Sequence, residues 1–294
     1  MSAAPLLVPQ AQPDVAPPAM RRAFEVAIER EAAELARALP LLGDAPARAL
    51  GTGGHAAGRR WRPLLSMVTA EACGGDPHRA IPVALAVELT HTASLLLDDL
   101  PCMDDADARR GEAPLHRRLG NAGTILLAVG LLGRAAEHAG GVRPSGDRLA
   151  EAWGRTIGFR GMSGGQAMDL AHAGRAPARG PARRLLREKT TALAAFATEG
   201  GARAVGASDR LAEAARRFGR DIGWAYQLAD DASDHAEDVS AGREGCGCRP
   251  ARQAEAILRR AGRRLALAGF PGNGADRLIT CADRAVGTML PDRS

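Results

Sequence analysis

Two groups of aspartates are the residues most able to do chemistry. Asp98, Asp99 and Asp104 lie in the run DDLPCMD at 98–104; Asp230, Asp231 and Asp234 lie in DDASD at 230–234. Each group gathers several carboxylate oxygens on a short stretch of chain. Such hard donors suit Mg²⁺, which binds through one or two carboxylates, water and phosphate oxygens. The first group ends an almost wholly apolar run, IPVALAVELTHTASLLL at 81–97. Adjacent carboxylates are costly there without a compensating cation, because of desolvation and because a helix C-terminus disfavours negative charge. Pro101 breaks the helix, so Asp104 can fold back toward Asp98. In the second group Asp230 and Asp234 are four apart and share one helical face. Like charges so placed weaken a helix by about 0.2–0.5 kcal/mol per pair, and a bound cation would offset that. Taken alone, the first group is equally compatible with a solvated acidic terminus paired with Arg109 and Arg110.

Cationic residues accompany the acids. Arg109 and Arg110 offer bidentate donors for phosphate. Gly58-Arg59-Arg60-Trp61-Arg62-Pro63 follows a glycine-rich stretch and opens a helix, a setting that suits diphosphate. An ordinary basic first turn would read the same way. Of 39 basic residues one is lysine, Lys189, beside Thr190, and the other 38 are arginine. A site needing a compact point charge would retain that lysine, as would chance. His91 lies seven residues before Asp98 on roughly the same helical face, where a satisfied core histidine would also fit.

These residues must be positioned by helices. Ala, Leu, Arg and Glu dominate long stretches, and aromatics are 3% of 294 residues. Apolar positions recur every three to four residues from Met20 to about Leu39. Further helical runs are predicted at about 60–74, 79–100, 121–139, 147–171, 181–204, 208–237, 250–268 and 273–289. The breaks at 51–58, 73–77, 140–146, 172–181 and 242–250 are rich in Gly and Pro. No strand-like alternation persists. The expected architecture is a Pro/Ala-rich disordered tail at 1–18, then one all-α domain over 19–294.

Bulk properties exclude other classes. The net charge is +5, but there is no dense basic arm or aromatic-interleaved basic patch, so no nucleic-acid surface is expected. Cysteines 73, 102, 246, 248 and 281 show no disulfide or zinc spacing, which favours a reducing, cytoplasmic setting. No leader pattern is evident, and no uninterrupted apolar stretch of about 18 residues predicts a transmembrane helix.

HTASLLLDDLPCMDDADARRG at 91–111 resembles the first aspartate-rich motif of the trans-type polyprenyl diphosphate synthases, above all the bacterial geranylgeranyl diphosphate synthases of carotenoid pathways. GWAYQLADDASD at 223–234 is similar to their second motif. AGRRWRP at 57–63 is similar to their GGKRxRP segment, with Ala57 and Arg59 replacing Gly and Lys. Gly164-Gly165-Gln166 with Asp169 resembles their GGQxxD segment, Lys189-Thr190 their KT pair, and ILLAVGLLG at 125–133 the carotenoid-pathway branch. The resemblance covers about residues 20–240.

The resemblance implies an isoprenoid synthase-type bundle of long helices around a central apolar cavity, assembled as a homodimer. It implies that Asp98, Asp99, Asp104, Asp230, Asp231 and Asp234 hold Mg²⁺, three ions, on an allylic diphosphate. Arg109, Lys189, Thr190 and Gln227 would contact that diphosphate; Arg59, Arg62, His91 and Arg110 would hold isopentenyl diphosphate. The activity implied is condensation of the two by ionisation, attack and proton loss. Ala93 and Ser94, one turn before Asp98, are small where bulky aromatics stop the family's products at fifteen carbons. A twenty-carbon product is therefore expected.

The match fails after Asp238. There the family has two lysine-bearing stretches, and this chain has VSAGREGCGCRP, in which Arg243 can replace only the first lysine. A weakly active partner subunit, a farnesyl diphosphate synthase and a class I terpene cyclase are the alternatives. The cyclase has no use for an isopentenyl diphosphate site.

Overall fold

The structure, a computed structural model, describes residues 15–109, 111–172, 180–240 and 248–287. Among them the chain forms eleven α-helices and no strand beyond an isolated bridge between Arg109 and Glu112. They are α1 (Pro18–Ala38), α2 (Ala45–Leu50), α3 (Trp61–Ala72), α4 (Ile81–Asp98), α5 (His116–Gly141), α6 (Gly146–Ile157), α7 (Met162–His172), α8 (Gly180–Ala204), α9 (Asp209–Ser240), α10 (Cys248–Ala266) and α11 (Gly274–Gly287). The all-α expectation holds. Short 3-10 turns at Pro40–Leu42 and Pro77–Ala80 lead into α2 and α4.

The helix α4 forms the hub. Its sequence is apolar on every side, as a helix buried all round must be. Ala84, Ala86, Val87 and Leu89 are fully buried. The helix packs on α5, α3 and α8, and α8 in turn lies along α9 in the most extensive helix pair of the fold. That pair approaches closely because Gly219 presents no side chain. A Cβ at Gly219 would fall 2.4 Å from the Ala194 carbonyl oxygen. With few aromatics, the core is closed by Ala and Gly at short helix separations rather than by large side chains.

Three expectations are corrected. The run 147–171 is two helices, not one. Gly158 is extended, and a Cβ at Gly161 would sit 2.0 Å from the Thr156 carbonyl oxygen, so the chain reverses tightly there before α7. The disordered stretch expected over 1–18 does not hold for its last residues: Val15 and Ala16 are buried in the core, and Pro17 caps α1 by accepting from the amides of Met20 and Arg21. The short helix α2 was not foreseen, since six residues carry too little periodicity to be read. Residues 1–14 and the departure at Arg243 and Cys246 lie outside the described residues.

Two helices are long and apolar enough to cross a membrane by length and composition alone: Pro77–Asp98, 67% buried inside the bundle, and His116–Gly141, 28% buried. The first is the core helix just described. The second leaves Ile125, Leu126 and Val129 at 41%, 69% and 57% exposed.

Candidate active site

One cavity of about 460 Å³ collects residues from α3, α4, α7, α8 and α9. Its wall is mostly apolar, with Leu95, Leu132, Met162 and Leu193 among the lining side chains. Asp98 and Asp230 both line it, so the two aspartate helices face a common space. Arg62, His91, Lys189, Thr190 and Gln227 line it as well.

Asp98 ends α4 and is partly buried. Burial pushes its carboxyl up to about 6; Asp104 and Asp99 add to the rise, while Lys189 and Arg109 oppose it. Nearby cations thus do not fully offset the burial. Asp104 is brought back as the sequence suggested: its amide donates to the Asp98 carbonyl at 2.9 Å. Asp105, with a left-handed φ of 47°, helps the loop reverse.

Two acids of the expected metal set make contacts away from the cavity wall. Asp99 is buried and held by the guanidinium of Arg109, whose Nε donates to Oδ1 at 2.9 Å. It lines a separate small recess with Arg48, His55 and Glu112. Arg109 is therefore committed to Asp99 rather than aimed into the cavity. Asp231 accepts from Gln227 Nε2 at 2.8 Å and does not line the cavity. The side chain of Asp234 and all of Arg110 lie outside the described residues. Among the described residues no group of three or more acids, histidines or cysteines is close enough to hold a metal by itself.

The cations are placed by packing. Arg62 opens α3, with its guanidinium 4.5 Å from the centre of the Trp61 ring and 5.6 Å from that of Tyr226. These two rings stack with centroids 4.6 Å apart. Burial lowers the pKa of Arg62, and Tyr226, Glu88 and Asp230 counter that. Its Nη1 lies 3.5 Å from His91 Nε2. Arg59 reaches the rim, where Nη1 donates to the Tyr226 hydroxyl at 3.4 Å. Arg60, between them, is a structural residue. Its side chain is buried, donating to Glu88 Oε1 at 2.5 Å and to the Leu50 carbonyl at 2.6 Å.

On α8, Lys189 donates to Asp169 of α7 at 2.7 Å. Helix α7 can come this close because Gly165 lacks a side chain; a Cβ there would be 2.3 Å from the Lys189 backbone nitrogen. Thr190 donates to Gln227 Oε1 at 3.0 Å, completing a chain from α8 through Gln227 to Asp231.

Some site residues were missed by sequence reasoning. Gln166 lines the cavity, and its Oε1 is buried without a hydrogen-bond partner. The GGQ run was noticed, but no role was attached to it. Tyr226 falls within the second motif, but no role was attached to it. Ser94 lines the cavity as expected, and its Oγ donates to the His91 carbonyl. Ala93 does not line it. It is fully buried in the core.

Acids from two helices and cations from their neighbours are thus set around one apolar cavity. The sequence pattern of the polyprenyl synthetase family matches residues 48–246, and the chain belongs to that family. It is 39% identical over 188 residues to heterodimeric geranylgeranyl pyrophosphate synthase large subunit 2 of Arabidopsis thaliana, a match covering 62% of this chain and 50% of that protein. It is 34% identical over 209 residues to geranylgeranyl diphosphate synthase of Pantoea ananas, covering 68% and 69%. The chain thus spans about half the length of the Arabidopsis relative. Among solved structures, an FPP/GFPP synthase from Zymomonas mobilis superposes with a TM-score of 0.70 at 31% identity, covering 90% of this chain and 97% of that one.

Proposed function

We propose that this chain is a prenyltransferase that joins isopentenyl diphosphate to an allylic diphosphate, with farnesyl diphosphate as primer and geranylgeranyl diphosphate as product. The observation that carries the reading is the placement of Asp98 and Asp230, from different helices, at one apolar cavity that Arg62, His91 and Lys189 also line. The uncompensated charge of Asp98 fits a metal–diphosphate partner. Mg²⁺, three ions by family resemblance, would be held by Asp98 and Asp230 at the cavity with Asp99, Asp104, Asp231 and Asp234 of the same two motifs, diphosphate oxygens and water completing each shell. Bound there, it would stabilise charge on the departing diphosphate.

The chain's own groups then divide the work. Lys189, with Thr190 and Gln227 beside it, receives the allylic diphosphate and favours loss of the C–O bond. Arg62, His91 and Arg59 hold isopentenyl diphosphate so that its double bond faces the new cation. The leucine and methionine wall excludes water from that cation. The proton lost after C–C bond formation leaves with the released diphosphate. Ser94, small and one turn below Asp98, leaves room for more than fifteen carbons.

The open apolar face of α5 supports a homodimer, with a second copy covering Ile125, Leu126 and Val129. Free thiols at Cys73, Cys102 and Cys281 are in keeping with a reducing cytoplasm, and a role in carotenoid-precursor synthesis follows the branch resemblance. A subunit that needs a different partner is the second reading, favoured by the heterodimeric relative. Purified chain incubated with Mg²⁺, isopentenyl diphosphate and dimethylallyl, geranyl or farnesyl diphosphate should give an elongated linear diphosphate. No condensation with any primer would overturn the reading, and a cyclic hydrocarbon from one substrate would replace it with a cyclase.

A further inference from the structure

We propose that the buried pair of Arg60 and Glu88 aims the two arginines on either side of Arg60, Arg59 and Arg62, and that Arg60 is thereby a positioning residue for isopentenyl diphosphate. The assignment rests on the isopentenyl diphosphate reading of Arg59, Arg62 and His91 given above, and adds the groups that orient them.

Glu88 is the only charged residue of α4 before Asp98. Its side chain is 2% exposed and that of Arg60 0%, and Arg60 Nη1 donates to Glu88 Oε1 at 2.5 Å. Such a pair is a poor source of stability. Desolvation of both charges cancels most of their attraction, and apolar side chains of similar size would serve as well. What the pair supplies is direction.

The backbone leads to the same conclusion. Arg60 precedes α3 with φ 56° and ψ 16°, in the left-handed region. Most side chains are strained there, and a position chosen only for the turn would hold Gly or Asn. An arginine is explained by what its side chain reaches. Nη2 donates to the Leu50 and Gly51 carbonyls at 2.6 and 3.1 Å, closing the C-terminus of α2. Nε donates to Glu25 Oε1 of α1 at 3.4 Å, and the guanidinium lies 5.9 Å from the centre of the Phe24 ring. One planar fork thus fixes the entry of α3 against α1, α2 and α4 together.

The effect falls on the neighbours. With Arg60 turned inward, Arg59 reaches the rim and donates to Tyr226, while Arg62, the second residue of α3, lines the cavity. Glu88 and His91 are three apart on one face of α4. The first holds Arg60 and the second lies 3.5 Å from Arg62 Nη1, so consecutive levels of α4 set two arginines of the same turn. Glu88 also counters the burial of Arg62.

Steady-state kinetics of the full chain with Mg²⁺, isopentenyl diphosphate and farnesyl diphosphate test this, with melting curves alongside. Arg60→Lys keeps the buried charge but cannot reach Glu88 and both carbonyls together. It should raise KM for isopentenyl diphosphate about 10-fold, as a small misplacement of a binding group does, and leave kcat and KM for farnesyl diphosphate near wild type. Arg60→Gln combined with Glu88→Gln removes both charges and strands neither, and gives the same readout if the lysine variant does not fold. A role confined to stability would lower the melting temperature and the amount of active enzyme with KM for isopentenyl diphosphate unchanged. That result in a folded variant overturns the proposal. Arg62→Gln is the control: if it leaves that KM unchanged, the isopentenyl diphosphate reading itself fails. A wild type that makes no product overturns the elongation reading, and this one with it.

Discussion

Asp98 shows at the residue scale why a binding group can be a poor structural one. Its carboxyl sits in a partly buried position with Asp99 and Asp104 nearby, and Lys189 is already drawn off by Asp169. Asp98→Asn should therefore fold at least as well as the wild type in the absence of metal. Its kcat should nonetheless fall by about 10²–10³, the usual cost of losing one electrostatic contributor to a transition state. Asp230→Asn should behave alike, since it faces the same cavity. Steady-state kinetics with parallel melting curves check both. A variant that keeps wild-type kcat would remove its aspartate from the diphosphate site.

At the scale of elements, the docking of α1 on α5 depends on one buried acid. Glu31 of α1 is 3% exposed, accepts from Arg134 Nε at 2.6 Å, and lies 2.9 Å from His138 Nε2. Burial pushes its carboxyl up, but the hydrogen bonds from His138 and Arg134, with their charges, outweigh that and hold it at about 2. The sign follows. The unfolded chain protonates Glu31 near 4.5 and the folded chain only near 2. The stabilisation is complete above the unfolded value and disappears as pH falls through the folded one. Thermal stability should drop between about pH 4.5 and 2 in the wild type. Glu31→Gln should lose about 2 kcal/mol at neutral pH and show a shallower acid decline. An unchanged acid profile in that variant would show that other carboxylates govern acid unfolding.

For the whole molecule, the open question is what covers α5. A monomer rarely leaves Ile125, Leu126 and Val129 together in water on one long helix. Sedimentation of the wild type should give a dimer, and Leu126→Glu with Val129→Glu should give a monomer with the same helical content. A monomeric wild type would refute the paired assembly.

The helical class and most helix limits were legible in the sequence, because they depend on local periodicity and on Gly and Pro breaks that act within a few residues. The segment 121–139 lies within α5 after its non-helical break at Gly120, and 181–204 matches α8 almost to the residue. The site types were legible for the same reason: clustered aspartates on apolar helices are costly wherever the helices go. What the sequence could not assign was the direction of each carboxylate. Asp98 and Asp99 are neighbours, yet one faces the cavity and the other is claimed by Arg109. The α6–α7 break escaped notice because its glycines are required by a close backbone contact, which exists only in the folded chain. Residue types and their local spacing follow from chemistry along the chain. Which side chains share a space is decided by helices far apart in sequence, and so by the tertiary structure alone.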